Sequence, residues 1–370
     1  MFGKKRIYLD AAAGVTGNPS SPHTEGRETK EKLEAARTQI ARLLEVQSDD
    51  VLFTSGGTES NALAILGHVR ALKEKGRKDI HILYLPSAHA SVVGNVALVA
   101  GYGVTAEPLP IKDCRVDIEA MKLMIRENTA FITMDAVCGE TGVIWNTREV
   151  ATAIQDKGIV LHVDASQAPL TEKITRGHFG AHMISLDASK ISTARGIGAL
   201  ISHRTIPLLP IYVGGGQERG IRSGSEAPEL AKAFADGLTG ATKERETFRT
   251  RAEKSREALV TDIRTNLPVA LINEGRAQVP NILNLSLPHR DTDYLVALLD
   301  EAGFAVSTRS ACETDSEEGS RAVYALFGDM DRAKSTLRIS WGPSVTTGEL
   351  QRFRNALIEG VRFIDSDARR

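Results

Sequence analysis

Two stretches decide the fold: Ile159-Val-Leu-His-Val-Asp-Ala-Ser-Gln167 and Met183-Ile-Ser-Leu-Asp-Ala-Ser-Lys190. Each opens with a short apolar run, the pattern of a strand buried on both faces, and closes on polar residues where that strand would end. Working outward, Val51-Leu-Phe-Thr-Ser55, Ile80-His-Ile-Leu-Tyr-Leu85, Ala130-Phe-Ile-Thr-Met134 and Ile197-Gly-Ala-Leu-Ile201 read the same way. Helical patterns lie between several of them, notably Thr58 to Lys75 and Asp117 to Arg126. Alternation of this kind predicts an α/β fold with a mostly parallel sheet covered by helices on both faces.

From Pro228 to about Leu267 the chain reads as one or two long charged helices, and the rhythm changes beyond it. Asn281–Ser286, Ala305–Ser307 and Leu337–Ser340 read as strands of a second α+β layer. The expected organisation is a large domain over 15–245, with 1–14 and 246–370 forming a smaller one. The alternative is one continuous domain.

The bulk numbers exclude several classes. The chain has 370 residues, 42% hydrophobic and 25% charged, with a net charge of −1, so nothing suggests a nucleic-acid-coating or membrane-surface protein. Cys114, Cys138 and Cys312 form an odd, sparse set without CxxC spacing, which argues against a disulfide framework or a zinc site. The longest apolar stretch, near Val92 to Val104, is too short to span a bilayer and holds Asn95. The first ten residues lack the apolar segment of a signal peptide. A reducing cytoplasmic setting, no metal and no membrane are therefore expected.

Several motifs point to chemistry. Ser55-Gly-Gly-Thr58-Glu-Ser-Asn61 follows a strand and opens a helix, where free amides attract phosphate; it also reads as a tight turn with Thr58 as a cap. Asp164 sits at the carboxyl end of its strand, the edge where ligands bind in open α/β sheets, or else caps the next helix. A carboxylate there can pair with a protonated ring nitrogen, and Gln167 can donate to a ring oxygen. Lys190 follows the next strand; it is either a solvated charge or a lysine that holds a cofactor aldehyde.

Together with Gly17-Asn-Pro-Ser20, Phe53–Ser60, Gly196-Ile-Gly198, Gly214-Gly-Gly-Gln-Glu-Arg-Gly-Ile-Arg-Ser-Gly224, Ser310-Ala-Cys312 and Arg338-Ile-Ser340, these motifs make the chain resemble the cysteine desulfurases, from about Tyr8 to the last helix. Those are class-V-aminotransferase-like pyridoxal-phosphate enzymes of fold type I. The resemblance implies that Gly57 and Thr58 bind the cofactor phosphate, with Ser225 contributing from the partner subunit of a homodimer. It implies that Lys190 carries the cofactor, that Asp164 holds its ring nitrogen protonated, and that Gln167 bonds its phenolic oxygen. His89 would stack on the ring and move protons, and Arg338 would clamp the carboxylate of L-cysteine. Cys312, on a polar loop, would take sulfur as a persulfide, leave L-alanine, and pass the sulfur to an acceptor protein. That acceptor would be an iron–sulfur scaffold or a relay for tRNA thiolation. Without the resemblance, His89 is a loop histidine and Arg338 a surface charge.

Three departures from the family stand out. Ser189 and Asp187 replace the usual His and Ser before the lysine; both positions normally face the phosphate, so Asp187 would set a carboxylate beside a dianion unless turned away or protonated. Cys138, in Val137-Cys-Gly-Glu-Thr-Gly142, stands where an asparagine would meet the ring oxygen and substrate carboxylate. Only Ala11 to Thr16 separate Leu9-Asp10 from Gly17, where a longer segment helps wall the site. These leave two rivals: another pyridoxal-phosphate lyase or transaminase, and a catalytically weak dimer that binds sulfur-pathway proteins.

Overall fold

A computed structural model describes residues 6–308 and 319–367. Among these residues the strands are β1 Val51–Thr54, β2 His81–Tyr84, β3 Thr105–Pro108, β4 Ile111–Lys112, β5 Arg115–Val116, β6 Thr129–Asp135, β7 Val160–Asp164, β8 Met183–Asp187, β9 Gly198–Ser202, β10 Leu271–Ile272, β11 Ile282–Ser286 and β12 Thr336–Ser340. The helices are α1 Thr24–Leu44, α2 Gly57–Ala62, α3 His68–Glu74, α4 Ala90–Ala100, α5 Ile118–Met124, α6 Thr147–Ala153, α7 Arg176–Phe179, α8 Pro228–Asn266, α9 Thr292–Glu301, α10 Arg321–Phe327, α11 Met330–Lys334 and α12 Thr347–Asp367. A π-helical turn, Leu63–Gly67, joins α2 to α3 without a break in the helical backbone.

The large sheet has seven strands in the order β1-β9-β8-β7-β6-β2-β3. Only β9 among them runs against its neighbours, so the sheet is mostly parallel, as the alternation predicts. All seven residues of β6 are buried, which is why its apolar run is so legible. The edge strand β3 is half exposed and ends in Pro108, and the hairpin β4–β5 has two residues a side; neither carries an apolar run.

A smaller antiparallel sheet, β10-β11-β12, packs with α9, α12 and the second half of α8 around its own core. The expected strand at Ala305–Ser307 is reduced to an isolated bridge from Ser307 to Arg338. Helix α8 is a single helix that serves both cores. Ala231, Phe234, Ala235 and Leu238 enter the first, and Phe248 to Ile263 enter the second. Residues 6–14, assigned above to the smaller unit, instead lie against the start of α1: Arg6 pairs with Glu25, and the Tyr8 and His23 rings meet edge-on at 5.5 Å.

The glycine-rich segment after β9 locks the N-terminal helix to the sheet. Glu218 is buried there and takes both Nη atoms of Arg37 at 2.8 Å, while its Oε2 also accepts from the Phe53 amide at 2.9 Å. Glu218 and Arg219 both adopt left-handed backbone (φ +46° and +60°), a conformation costly for non-glycine residues, and the ion pair helps offset that cost.

Candidate active site

Three neighbouring parallel strands each end in an aspartate: Asp135 on β6, Asp164 on β7 and Asp187 on β8. Parallel strands bring their carboxyl ends to one edge, so all three acids face one cavity of about 230 Å³. Its other walls come from Gly57, Thr58, Asn61, His89, Val137, Gly139, Ser166, Gln167 and Lys190. Wider surface clefts exist, such as one of about 590 Å³ beside Arg148 and His182, but they do not gather strand-end acids around a lysine. Chemistry rather than size selects the smaller cavity.

The floor approaches closely because glycines line it. Gly56 has φ +152°, and a Cβ at Gly198 on β9 would come within 2.7 Å of the Gly56 Cα. Both positions therefore require glycine, which presses the α2 N-terminus against the ends of β8 and β9. A Cβ at Gly139 would lie 3.2 Å from Gln167 Nε2, so the 137–142 loop also packs closely on that amide.

Asp164 is buried and held from two sides. Its Oδ2 accepts from Asn61 Nδ2 at 2.6 Å and its Oδ1 from the Ser166 amide at 3.0 Å. The same Asn61 nitrogen reaches Ser91 Oγ at 2.9 Å, and Ser91 Oγ lies 2.8 Å from His89 Nδ1. His89 Nδ1 accepts from the Ser91 amide and so caps α4, which leaves Nε2 to carry the ring proton. Asn61 thus ties the helix, the aspartate and the histidine into one network. The structure brings together Gly57, Thr58, His89, Asp164, Gln167 and Lys190; Lys190 itself is exposed at the cavity mouth.

Asp135 is the register partner of Asp164 on the adjacent strand and accepts weakly from the His89 amide at 3.4 Å. Burial, then the neighbouring Asp164 charge, push its carboxyl well above the ordinary value, which favours the neutral form of Asp135 beside Asp164. Behind them, His162 bridges Thr133 and Ser185, and burial lowers its pKa to about 4, which keeps it uncharged.

Cys138 does not take the position expected for it. Val137 and Gly139 line the cavity, while the thiol between them is buried outside it. A tight loop causes this: the Cys138 amide bonds to Val143 O and its carbonyl accepts from the Gly142 amide. Burial, then the Glu140 charge, push this thiol up to about 11, so it packs as a buried, unreactive group in this structure.

Asp187 is neither turned away nor protonated. Its Oδ2 accepts from the Gly57 amide at 3.0 Å, and its Oδ1 from Ser189 N at 2.8 Å and Ser189 Oγ at 2.7 Å. Burial would raise its pKa, but these bonds and the Lys190 charge outweigh burial and hold it below the ordinary range. Ser189 is therefore a partner of Asp187.

Arg338, on β12, donates to Gly139 O at 3.3 Å, which places its guanidinium at the cavity rim. Ser307 pairs with Arg338, and Ser320 Oγ donates to Glu140 Oε2 at 2.6 Å. Both flanks of the 309–318 segment thus sit beside this rim; Cys312 lies outside the described residues. Ser225 is exposed and does not line the cavity within one chain.

Sequence reasoning missed Asp135, Asn61 and Ser166. One signal was available: the runs before Asp135, Asp164 and Asp187 are alike, three buried strands each ending in an acid. Asn61 and Ser166 carry no such mark, because their roles come from helix phase and from a turn after β7.

The described residues include no cluster of three or more His, Cys, Asp or Glu able to hold a metal, and no helix long and apolar enough to cross a membrane.

Residues 8–353 match the family described as aminotransferase class-V. A mitosomal cysteine desulfurase of Encephalitozoon cuniculi is 31% identical over 97% of this chain and 88% of its own length. Cysteine desulfurase IscS 1 of Archaeoglobus fulgidus is 30% identical over 96% of this chain and 93% of its own. Among solved structures, a NifS-like protein superposes with a TM-score of 0.86 at 25% identity, covering 94% of this chain and 92% of its own. A structure titled SspA in complex with cysteine superposes with a TM-score of 0.74 at 26% identity, covering 89% and 92%.

Proposed function

The chain belongs to the cysteine desulfurase family of class-V aminotransferases, with its fold-type-I architecture, and from that membership we propose that it is a pyridoxal-phosphate-dependent cysteine desulfurase. The observation that carries the reading is the cavity that combines Lys190, Asp164, Gln167 and the N-terminus of α2 at the carboxyl edge of the sheet. The fit to the cofactor rests on the polar atoms there. Ser166 Oγ is buried without a partner and would lie 3.1 Å from a Cβ at Gly57, so a donor waits beside the N-terminus of α2. Asp164 stands across the cavity as an acceptor for a ring N–H.

Bound cofactor supplies an aldehyde that condenses with amines and a ring that withdraws electrons. Lys190 would hold that aldehyde and then move a proton at the substrate Cα. Asp164, fixed by Asn61 and Ser166, would keep the ring nitrogen protonated. Gln167 would donate to the phenolic oxygen. His89 would face the ring and shuttle protons through Nε2. Arg338 would clamp the carboxylate of L-cysteine with two parallel bonds.

Cys312 would receive the sulfur as a persulfide, leaving L-alanine; the position of its flanking residues at the Arg338 rim supports this role. Ser225 would reach the phosphate of a second subunit, which makes a homodimer part of the proposal. An acceptor protein in iron–sulfur assembly or tRNA thiolation would take the sulfur onward. The visible spectrum of the purified protein, with sulfide and alanine measured after L-cysteine is added, tests the reading. It predicts a yellow protein that forms alanine and, with a thiol reductant present to cleave the persulfide, releases sulfide; Lys190→Ala loses the colour and Cys312→Ser releases no sulfide. A wild type that excess pyridoxal phosphate cannot turn yellow would refute it.

A further inference from the structure

The helix N-terminus that opens this cavity already holds an anion of the protein's own. The Asp187 carboxylate accepts from the Gly57 amide at 3.0 Å, and a Cβ built on Gly56 would lie 3.3 Å from the same oxygen. An independent feature marks this spot as a ligand position. Ser166 is more than nine-tenths buried, its hydroxyl has no partner, and it points to the same Gly57. A donor set of helix amides and a hydroxyl suits a phosphate. One of those amides is given instead to a carboxylate that its bonds to Gly57 and Ser189 keep ionised.

We propose that Asp187 is a cofactor-specificity residue, an internal carboxylate that competes with the cofactor phosphate for the α2 N-terminus. The inference rests on the pyridoxal-phosphate reading above and concerns how tightly the phosphate end is held. A phosphate entering here has two courses. It can displace the Asp187 side chain, which then loses its bonds to Gly57 and to both Ser189 donors. Otherwise it sits beside a like charge in a partly desolvated cleft, where repulsion is far stronger than in water. Either course lowers the gain the phosphate brings. The chain therefore discriminates poorly between the phosphorylated vitamer and the free aldehyde. The condensing lysine and the ring contacts, which both compounds share, supply most of the affinity.

The competing structural role is separable. Asp187 also caps the short turn Ala188–Lys190 through Oδ1, a role that serine or asparagine fills nearly as well without charge. Asp187→Ser and Asp187→Asn should therefore fold normally and differ from wild type mainly in charge.

The experiment is equilibrium dialysis of cofactor-free, full-length protein against pyridoxal 5'-phosphate and, separately, pyridoxal, in buffer without phosphate or sulfate. In both variants the ratio of the two affinities should shift at least tenfold toward the phosphorylated compound, about 1.4 kcal/mol, while pyridoxal binding changes little. An unchanged ratio in both variants, with binding intact, overturns the inference and leaves the cofactor reading standing. A rise in Asp187→Ser alone assigns the effect to side-chain size and also overturns it. If wild type and variants bind neither compound, the cofactor reading itself fails and takes this inference with it.

Discussion

Replacing Asp135 by asparagine should make the cofactor-free protein increasingly more stable than wild type as pH rises. Asp135 is 4% exposed, lies beside Asp164 in register, and among the described residues receives only the long His89 amide bond in return. Burial, Asp164 and Glu140 raise its pKa, and only that amide and the Arg321 charge oppose them. In the unfolded chain the same carboxyl ionises near pH 4. Below that pH it is protonated in both states and makes no difference. Above it the unfolded chain gains from ionisation while the folded protein does not. Wild-type stability therefore falls by about 1.4 kcal/mol per pH unit until pH reaches the raised folded value. Asparagine fills the same space, cannot ionise, and lacks this slope. With about 2–4 °C of melting temperature per kcal/mol for a unit of this size, the gap between variant and wild type should widen by roughly 3–6 °C per pH unit. Thermal unfolding of both proteins at half-unit steps from pH 5 to 8 reads this directly. Parallel melting curves across that range would show that Asp135 is ionised in the folded protein. The picture of a protonated Asp135 beside Asp164 would then be wrong.

Arg338→Ala should lower kcat/KM for L-cysteine by about thirtyfold to a thousandfold, the equivalent of roughly 2–4 kcal/mol for a charge-assisted pair; an unchanged value removes it from the site. Glu218→Gln leaves the buried Arg37 with the half-exposed Glu34 in place of its buried charge partner and should cost about 3 kcal/mol, the low end for breaking a buried pair, read as a lower melting temperature. Arg37→Met combined with Glu218→Met should recover much of that loss, and a single variant as stable as wild type would contradict the buried pair. Cys138, with its pKa pushed up to about 11, should resist iodoacetamide at pH 8 in the folded protein and react only after unfolding. Labelling as fast as a free peptide thiol would place it in an open site.

The large sheet was legible because β6, β7, β8 and β9 are buried on both faces and so read as unbroken apolar runs. Ala305–Ser307 misled for the opposite reason: three residues suffice for a bridge but not for a ladder. The lysine, Asp164 and the glycine turn were legible because strand ends in a parallel sheet converge, so position along the chain translates into position in space. Cys138 was not, because one backbone turn decides which of three consecutive residues faces the cavity. Asp187 lay between these cases. Its place next to the phosphate site could be read from order alone, but whether it pointed inward depended on Gly57 and Ser189 offering it three hydrogen bonds.

The destination of the sulfur separates a desulfurase from its rivals. Intact-protein and peptide mass spectrometry after a single turnover with L-cysteine, with thiols blocked under non-reducing conditions, locates the persulfide. The expected result is one added sulfur on Cys312, absent from Lys190→Ala and from Cys312→Ser. Sulfur on Cys138 or Cys114, or alanine formed at the full rate by Cys312→Ser, would contradict it.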